Sequence, residues 1–162
     1  MKKTNDLTVQ QKSSRDDSFM KKALRLAQKA FDADEVPVGA LVVDQEGIII
    51  GRGYNQVEKR NCQRAHAEQL AIQQACAKRK DWRLDNCTLY VTLEPCKMCI
   101  GLIEISRIKY LVYGASSPLF GYQLDNEQGS QLYKKSIKAV RPGVLADQAA
   151  ALLKQFFKRK RA

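Results

Sequence analysis

Long apolar runs are missing from this sequence of 162 residues. Stretches such as Ile48-Ile49-Ile50 are far shorter than the roughly 20 residues that a membrane-spanning helix needs. The segment Met1–Gln11 is polar and lacks the apolar centre of a secretory signal. We therefore expect a cytoplasmic protein that does not enter a membrane.

Acidic side chains are scarce relative to basic ones: 17 stand against 28, and the formal net charge is +11. A positive surplus of this size attracts polyanions, so nucleic acid or an anionic membrane is the natural partner, and charge alone does not choose between them. Hydrophobic residues make up 44% of the chain, which predicts a globular protein, and the length fits one domain with a proper core.

Histidine occurs once and cysteine five times. The odd number of cysteines and the expected cytoplasmic location both argue against a framework of disulfide bonds. Metal binding or plain burial is then the leading explanation for at least some of these thiols.

Apolar periodicity and turn residues divide the chain into alternating helices and strands. Residues 1–15 are polar and are interpreted as a mobile tail, and residues 16–162 as a single domain. Asp17 or Ser18 is the expected cap of a first helix ending near Asp34. The other predicted elements are strands over 38–43, 48–51, 88–93, 108–113 and 138–140, helices over 65–80, 96–104 and about 145–161, and loops over 54–64 and 114–129. This alternation predicts an α/β domain in which helices cover a central sheet.

The chemistry is expected at two predicted helix starts. His66 begins one helix, and Cys96 and Cys99 lie in the first turn of another, where their thiolates are favoured by the helix dipole. One imidazole and two thiolates supply three ligands to Zn²⁺, which is the number found in a catalytic site that leaves a position for water. A fourth protein ligand would be a carboxylate or one of the remaining cysteines, which are Cys62, Cys76 and Cys87. Cys62, four residues before His66, stays open as such a ligand.

Glu68 lies two residues after the histidine and can point toward the open metal position. A bound zinc ion lowers the pKa of water from about 15.7 to about 7, and Glu68 would carry the protons between water and substrate. A lone His-x-Glu is usually a surface helix start, and a lone Cys-x-x-Cys can be a redox pair. One metal site, however, explains all four residues together.

His66-Ala67-Glu68 with Pro95-Cys96-x-x-Cys99 resembles the cytidine deaminase-like zinc deaminases. The closer resemblance is to the bacterial tRNA-specific adenosine deaminases and runs from about Asp17 to the C-terminus. Its further matching stretches are Glu35–Ala40, Asn55, Thr88–Glu94, Ser106–Ile108, Val112–Ala115 and Ala149–Phe157 followed by basic residues.

This resemblance implies a three-layer α/β/α fold with a central mixed sheet of about five strands. It implies one zinc ion per subunit, a homodimer, and adenosine at the wobble position of an arginine tRNA as the substrate. It also implies that Asn55 hydrogen-bonds the target nucleotide and that Val36 forms part of the pocket wall around the base. Two stretches depart from the family pattern: Gln63-Arg64-Ala65 replaces Asp-Pro-Thr, and Ser116-Ser117 replaces Arg-Asp. Both stretches lie where the family handles RNA, so the RNA contacts of these loops do not carry over.

The basic C-terminus has two interpretations. Lys158, Arg159 and Lys160 could contact RNA phosphates, or they could be solvated cations that suit a helix end. Phe156 is interpreted first as a core anchor and second as a ring that stacks on a nucleotide. Two rival functions also stay open: deamination of a free base or nucleotide of the guanine or cytosine type, and a non-catalytic RNA-binding module with a structural zinc. The basic excess disfavours the first rival, and Glu68 disfavours the second.

Overall fold

The structure is a computed structural model that describes residues 8–122 and 136–162. In chain order its elements are α1 (Val9–Asp32), β1 (Gly39–Val43), β2 (Ile49–Tyr54), α2 (Val57–Arg60), α3 (Ala67–Arg79), β3 (Thr88–Leu93), α4 (Lys97–Ile105), β4 (Tyr110–Ala115), β5 (Ala139–Arg141) and α5 (Ala146–Arg161). Within these residues, no helix is long and apolar enough to cross a membrane.

The strands form one mixed sheet in the order β2-β1-β3-β4-β5. β1 runs antiparallel to both β2 and β3, whereas β3, β4 and β5 run parallel to one another. Parallel neighbours end at the same edge of a sheet. The residues that follow β3 and those that follow β4 therefore meet at one edge, and this edge holds the candidate site.

Side chains of the central strands alternate between two cores. On β1, Ala40 and Val42 join the core that contains residues of α3 and α4, while Leu41 and Val43 join Phe19 of α1 on the opposite face. α5 lies on the same side as α1, where the rings of Phe31 and Phe156 are 6.1 Å apart. The predicted three-layer α/β/α fold with a five-stranded mixed sheet is confirmed.

Two glycines of β2 allow α3 to lie directly on the sheet. A Cβ atom on Gly51 would come within 2.1 Å of the Ala71 carbonyl oxygen, and one on Gly53 within 2.2 Å of the Ala67 carbonyl oxygen. Such distances are far below van der Waals contact, so glycine at these positions fixes how closely the first turn of α3 approaches β2.

The predicted start of the first helix is wrong. α1 begins at Val9, not near Asp17 or Ser18, so residues 9–15 of the predicted tail are helical and residues 1–7 lie outside the described residues. Thr8 is the N-cap: its hydroxyl accepts the Gln11 backbone N–H, and the Gln11 side chain accepts the Thr8 N–H. The apolar periodicity misses this extension because its first two turns are mostly exposed to solvent.

The predicted loop over 54–64 contains the short helix α2. Its single turn has no buried residue and therefore no apolar period that sequence could reveal. The strand predicted over 88–93 has the same limits in the structure, and the final helix is confirmed over Ala146–Arg161.

Candidate metal centre and active-site cleft

Two helix N-termini bring the three predicted metal ligands together. His66 is the N-cap of α3, Cys96 is the N-cap of α4, and Cys99 lies in the first turn of α4. The His66 Nδ1 atom is 3.7 Å from the Cys96 sulfur and 3.5 Å from the Cys99 sulfur. All three donor atoms lie within 4.8 Å of one another, so they can share one ion.

These distances fit the zinc geometry that the donor types favour. Zinc bonds of about 2.0–2.1 Å to nitrogen and about 2.3 Å to sulfur place tetrahedral N and S donors about 3.6 Å apart. The two nitrogen–sulfur distances of 3.7 and 3.5 Å match this spacing. Both nitrogen–sulfur distances therefore suit a tetrahedral zinc ion.

The other cysteines lie outside this cluster. Cys62 and Cys76 are half-buried, Cys87 is buried, and none of them belongs to the group of donor atoms around His66. Cys62, which the sequence left open as a fourth ligand, is thus not one in this structure. Among the residues that the structure describes, the donor group has three members, which is the number expected of a catalytic zinc site rather than a structural one.

Interactions within the cluster favour the thiolate form of Cys96. A hydrogen bond from Cys99 lowers the pKa of the Cys96 thiol to about 4, and the contact with His66 acts in the same direction. The same hydrogen bond and burial raise the pKa of Cys99. Near neutral pH, Cys96 is therefore ionised and is ready to bind a cation.

Glu68 lies in the first turn of α3, and its side chain is almost fully enclosed, with only 4% exposure. Burial raises the pKa of its carboxyl group to about 7, against the opposing effect of the His66 charge. A carboxyl group with this pKa can both accept and release a proton near neutral pH, which is what a general acid–base residue requires.

A cleft of about 580 Å³ opens over these residues. Asn55 and Val36, which the resemblance assigns to the substrate, line this cleft together with His66 and Glu68. Asn55 follows β2, is 8% exposed, and is held by its backbone N–H, which donates to the Val38 carbonyl at 3.0 Å. The structure thus brings together the predicted metal ligands, the predicted proton carrier and the predicted substrate contacts.

Glu35 is a buried residue of the cleft wall whose role the sequence analysis missed. It is 2% exposed, and its carboxylate accepts the backbone N–H groups of Glu58 at 3.1 Å and Lys59 at 2.7 Å. The carboxylate therefore satisfies the N-terminus of α2 and ties that helix to the Val36 segment. A signal existed in the sequence, since Glu35 is a charged residue directly before an apolar stretch.

Glu94 is a second residue that was missed. It lies between β3 and Cys96, is 6% exposed, and accepts the Ser117 backbone N–H at 2.9 Å. A Cβ atom on Gly121 would come within 2.4 Å of a Glu94 carboxylate oxygen, so the loop after β4 lies directly against this carboxylate. Glu94 thereby connects the cysteine-bearing helix start to the loop 116–122.

The basic C-terminus contacts its own chain. Arg159 donates to the Asp34 carboxylate at 3.1 Å and to the Phe31 carbonyl at 3.0 Å, and Lys160 donates to Asp34 at 2.5 Å. Lys158 is exposed. Phe156 is 3% exposed and is therefore a core residue, so its ring cannot stack on a nucleotide in this conformation.

Comparison with known proteins gives consistent results. A family model for MafB19-like deaminases matches residues 14–161. A protein of Buchnera aphidicola subsp. Schizaphis graminum (strain Sg) named tRNA-specific adenosine deaminase is 44% identical over 151 residues, which span 93% of this chain and 99% of that protein.

Comparison with solved structures also finds deaminases. One from studies of A-to-I editing by tRNA:A34 deaminases at the wobble position superposes with a TM-score of 0.74 and 38% identity, and covers 84% of this chain and 99% of that one. A guanine deaminase from Nitrosomonas europaea superposes with a TM-score of 0.77 and 31% identity, over 86% of this chain and 83% of that one. The chain belongs to the MafB19-like deaminase family, and within it to the group that contains the tRNA-specific adenosine deaminases.

Proposed function

We propose that this protein hydrolytically deaminates adenosine to inosine at the wobble position of a tRNA anticodon, with an arginine tRNA as its substrate. The observation that carries the proposal is the single cleft that joins the donor cluster His66, Cys96 and Cys99 to the buried carboxyl group of Glu68. The choice of tRNA over other substrates rests on the 44% identity to a tRNA-specific adenosine deaminase along nearly the whole chain.

We propose that His66, Cys96 and Cys99 hold one zinc ion per subunit. When bound there, zinc would supply a Lewis acid that lowers the pKa of water from about 15.7 to about 7. The matching nitrogen–sulfur distances and the low pKa of the Cys96 thiol support this assignment.

Glu68 moves the protons of the reaction. It accepts a proton from the attacking water and delivers this proton to N1 of the adenine ring. It then accepts the second proton from the new C6 hydroxyl group and passes it to the departing amino group. A C6–O bond forms and the C6–N bond breaks, so water is consumed and ammonia is released. Burial keeps this carboxyl group near the pKa that such two-way transfer requires.

The cleft binds one base that has left its stack. Asn55 hydrogen-bonds the target nucleotide, and Val36 packs against the base. Extruding a base costs least when the base is already unpaired, and an anticodon loop meets this condition.

The positive surface charge binds the phosphate backbone of the tRNA. The net charge of +11 attracts RNA, and Lys158, Arg159 and Lys160 contact phosphates from the end of α5. Arg159 and Lys160 keep 45% of their side-chain surface exposed while they contact Asp34, so both contacts are compatible. The proposed substrate places the enzyme in the cytoplasm.

We further propose a homodimer. The exposed apolar side chains Trp82 (53%) and Ile105 (67%) line, with Leu102, a groove of about 690 Å³ on the side of α3 and α4, and a second copy would remove this apolar surface from water. Sedimentation velocity checks this state, and an Ile105→Glu variant is expected to shift the enzyme toward the monomer.

A free-base deaminase is the second candidate, because a guanine deaminase from Nitrosomonas europaea has nearly the same fold. The two functions are separated by incubating the purified, zinc-loaded enzyme with a tRNA pool and, separately, with guanine, cytosine and adenine. We expect inosine in the tRNA and no ammonia from the free bases. Ammonia from guanine or cytosine together with unmodified tRNA would refute the proposed function.

A further inference from the structure

The loop after β4 carries an exposed aromatic ring at the edge of the active-site cleft. Phe120 is 73% exposed, yet it lines the same cleft as His66, Glu68 and Asn55. Its neighbour Leu119 is 76% exposed but does not line that cleft. Because this apolar ring lies at the edge of the cleft and is not covered by the chain, it is free to contact a ligand that enters the cleft.

The backbone that carries this ring is held firmly. The Phe120 N–H donates to the Ser117 hydroxyl at 3.3 Å, and the Gly121 N–H donates to the Ser117 carbonyl at 3.2 Å. Ser117 is itself bonded to the buried Glu94 carboxylate, and Gly121 forms an antiparallel bridge with Cys96. The ring is thus presented from a loop fixed to the metal-binding helix start, so little ordering of the backbone is needed when a ligand binds.

The charges around the cleft suit single-stranded RNA. Lys59 is exposed in the segment whose Val57, Glu58 and Gln63 line the cleft, and Lys97 is exposed beside Cys96. Proteins that bind single strands combine cations that follow the backbone with aromatic rings on which bases stack. Glu58 is the one acidic side chain of that segment.

We propose that Phe120 is a specificity-determining residue that stacks on an unpaired nucleobase next to the target adenosine. This inference rests on the proposed function, because a free base has no neighbouring nucleotide. Phe120 stacks on the neighbour while the target base lies deeper, between Asn55 and the metal ligands.

The test uses the full-length, zinc-loaded enzyme and an RNA hairpin that reproduces the anticodon stem and loop of the proposed arginine tRNA, with the target adenosine at the wobble position. Phe120→Ala is expected to weaken binding of the hairpin by about 5- to 150-fold, the range of base–aromatic stacking, with kcat nearly unchanged. Phe120→Tyr keeps a ring and is expected to bind as the wild type does. Leu119→Ala is the matched control, since it removes an equally exposed apolar side chain outside the cleft.

A second experiment removes the neighbouring nucleobase of the RNA instead of the Phe120 ring. In hairpins with an abasic site on one or the other side of the target, the loss caused by Phe120→Ala is expected to disappear at one of the two positions. The same loss on every hairpin, or wild-type binding by Phe120→Ala, would overturn the inference. A changed oligomeric state of Phe120→Ala would overturn it too, because the ring would then contact protein.

The result with the wild-type enzyme distinguishes failure of this inference from failure of the proposed function. If the wild type leaves the hairpin adenosine unmodified, the proposed function has failed and the inference with it. If the wild type produces inosine and Phe120→Ala does so with the same KM, only the role of Phe120 has failed.

Discussion

Two clusters of functional-looking side chains, the metal centre and the C-terminal cations, differ in how the chain holds them. The metal donors come from two segments about thirty residues apart, and each is placed by the start of a helix. Arg159 and Lys160 lie at a helix end, where long side chains bend back to Asp34 while keeping nearly half of their surface exposed.

This difference shows which sequence motifs predict where their side chains lie. A side chain in the cap or first turn of a buried helix has its position fixed by the backbone, so its residue type and spacing predict its neighbours. A lysine or arginine on an exposed turn has many rotamers and several partners of similar energy. The first kind of motif predicts a site, and the second predicts only a charge.

The largest expected effect comes from removing a donor of the metal centre. His66→Ala leaves two thiols, and we expect the bound zinc and the deamination of tRNA both to fall below detection. Elemental analysis and an inosine assay measure the two quantities. Cys62→Ser is the control, because Cys62 is outside the donor cluster and its substitution is expected to change neither. Full zinc content in His66→Ala would remove the imidazole from the site.

Glu68→Gln separates binding the metal from moving protons. We expect full zinc content and a kcat reduced by at least about 100-fold, since a general acid–base residue contributes about 10²–10⁴. Stopped assays on tRNA at saturating concentration measure kcat. A variant with wild-type turnover would show that another group carries the protons.

The same substitution has a pH-dependent effect on stability. The pKa of Glu68 rises from 4.5 to about 7 on folding, so the folded state binds a proton that the unfolded state releases, and stability falls as the pH rises through this window. After chelation, Glu68→Gln is therefore expected to unfold at a higher denaturant concentration than the wild type above about pH 7. The gap should shrink toward pH 4.5, and a gap independent of pH would contradict the burial argument.

A glycine pair tests how α3 is positioned. Gly53→Ala places a methyl group 2.2 Å from the Ala67 carbonyl oxygen, and we expect a loss of about 1–3 kcal/mol of unfolding free energy. Gly101→Ala in α4 meets no atom within 4 Å and is expected to stabilise the enzyme by about 0.5–1 kcal/mol. Urea denaturation measures both. Equal effects of the two substitutions would show that close packing on β2 does not matter.

The smallest effect belongs to the C-terminal cations. Substituting Arg159 and Lys160 by Gln is expected to weaken tRNA binding and to lower the slope of log K against log salt by about one for each phosphate that the variant no longer neutralises. Asp34→Asn is the control, because it breaks the internal ion pairs and keeps both cations. Equal losses of affinity in the two variants would mean that the cations act through Asp34 and not through phosphates.

Much of the fold could be predicted because its strands are apolar and turn-forming residues mark where the chain reverses. The predicted limits of β3 match the structure to the residue, and the metal donors are recognisable because their types and spacing are rare in combination. The start of α1 was missed because its solvent-exposed turns carry no apolar period. Glu35 and Glu94 were missed because each acts on a backbone N–H more than twenty positions away in sequence, a partner that only the tertiary structure provides.

The bond between Glu94 and Ser117 separates two tasks in space. The three candidate metal ligands precede this bond in the chain, whereas Pro118, Leu119 and Phe120 follow it as a short exposed tip. None of these three residues belongs to the donor cluster or caps one of its helices. If Phe120 stacks as proposed, substitutions in this tip would change which RNA sequences the enzyme prefers and would leave in place the residues proposed to carry out deamination.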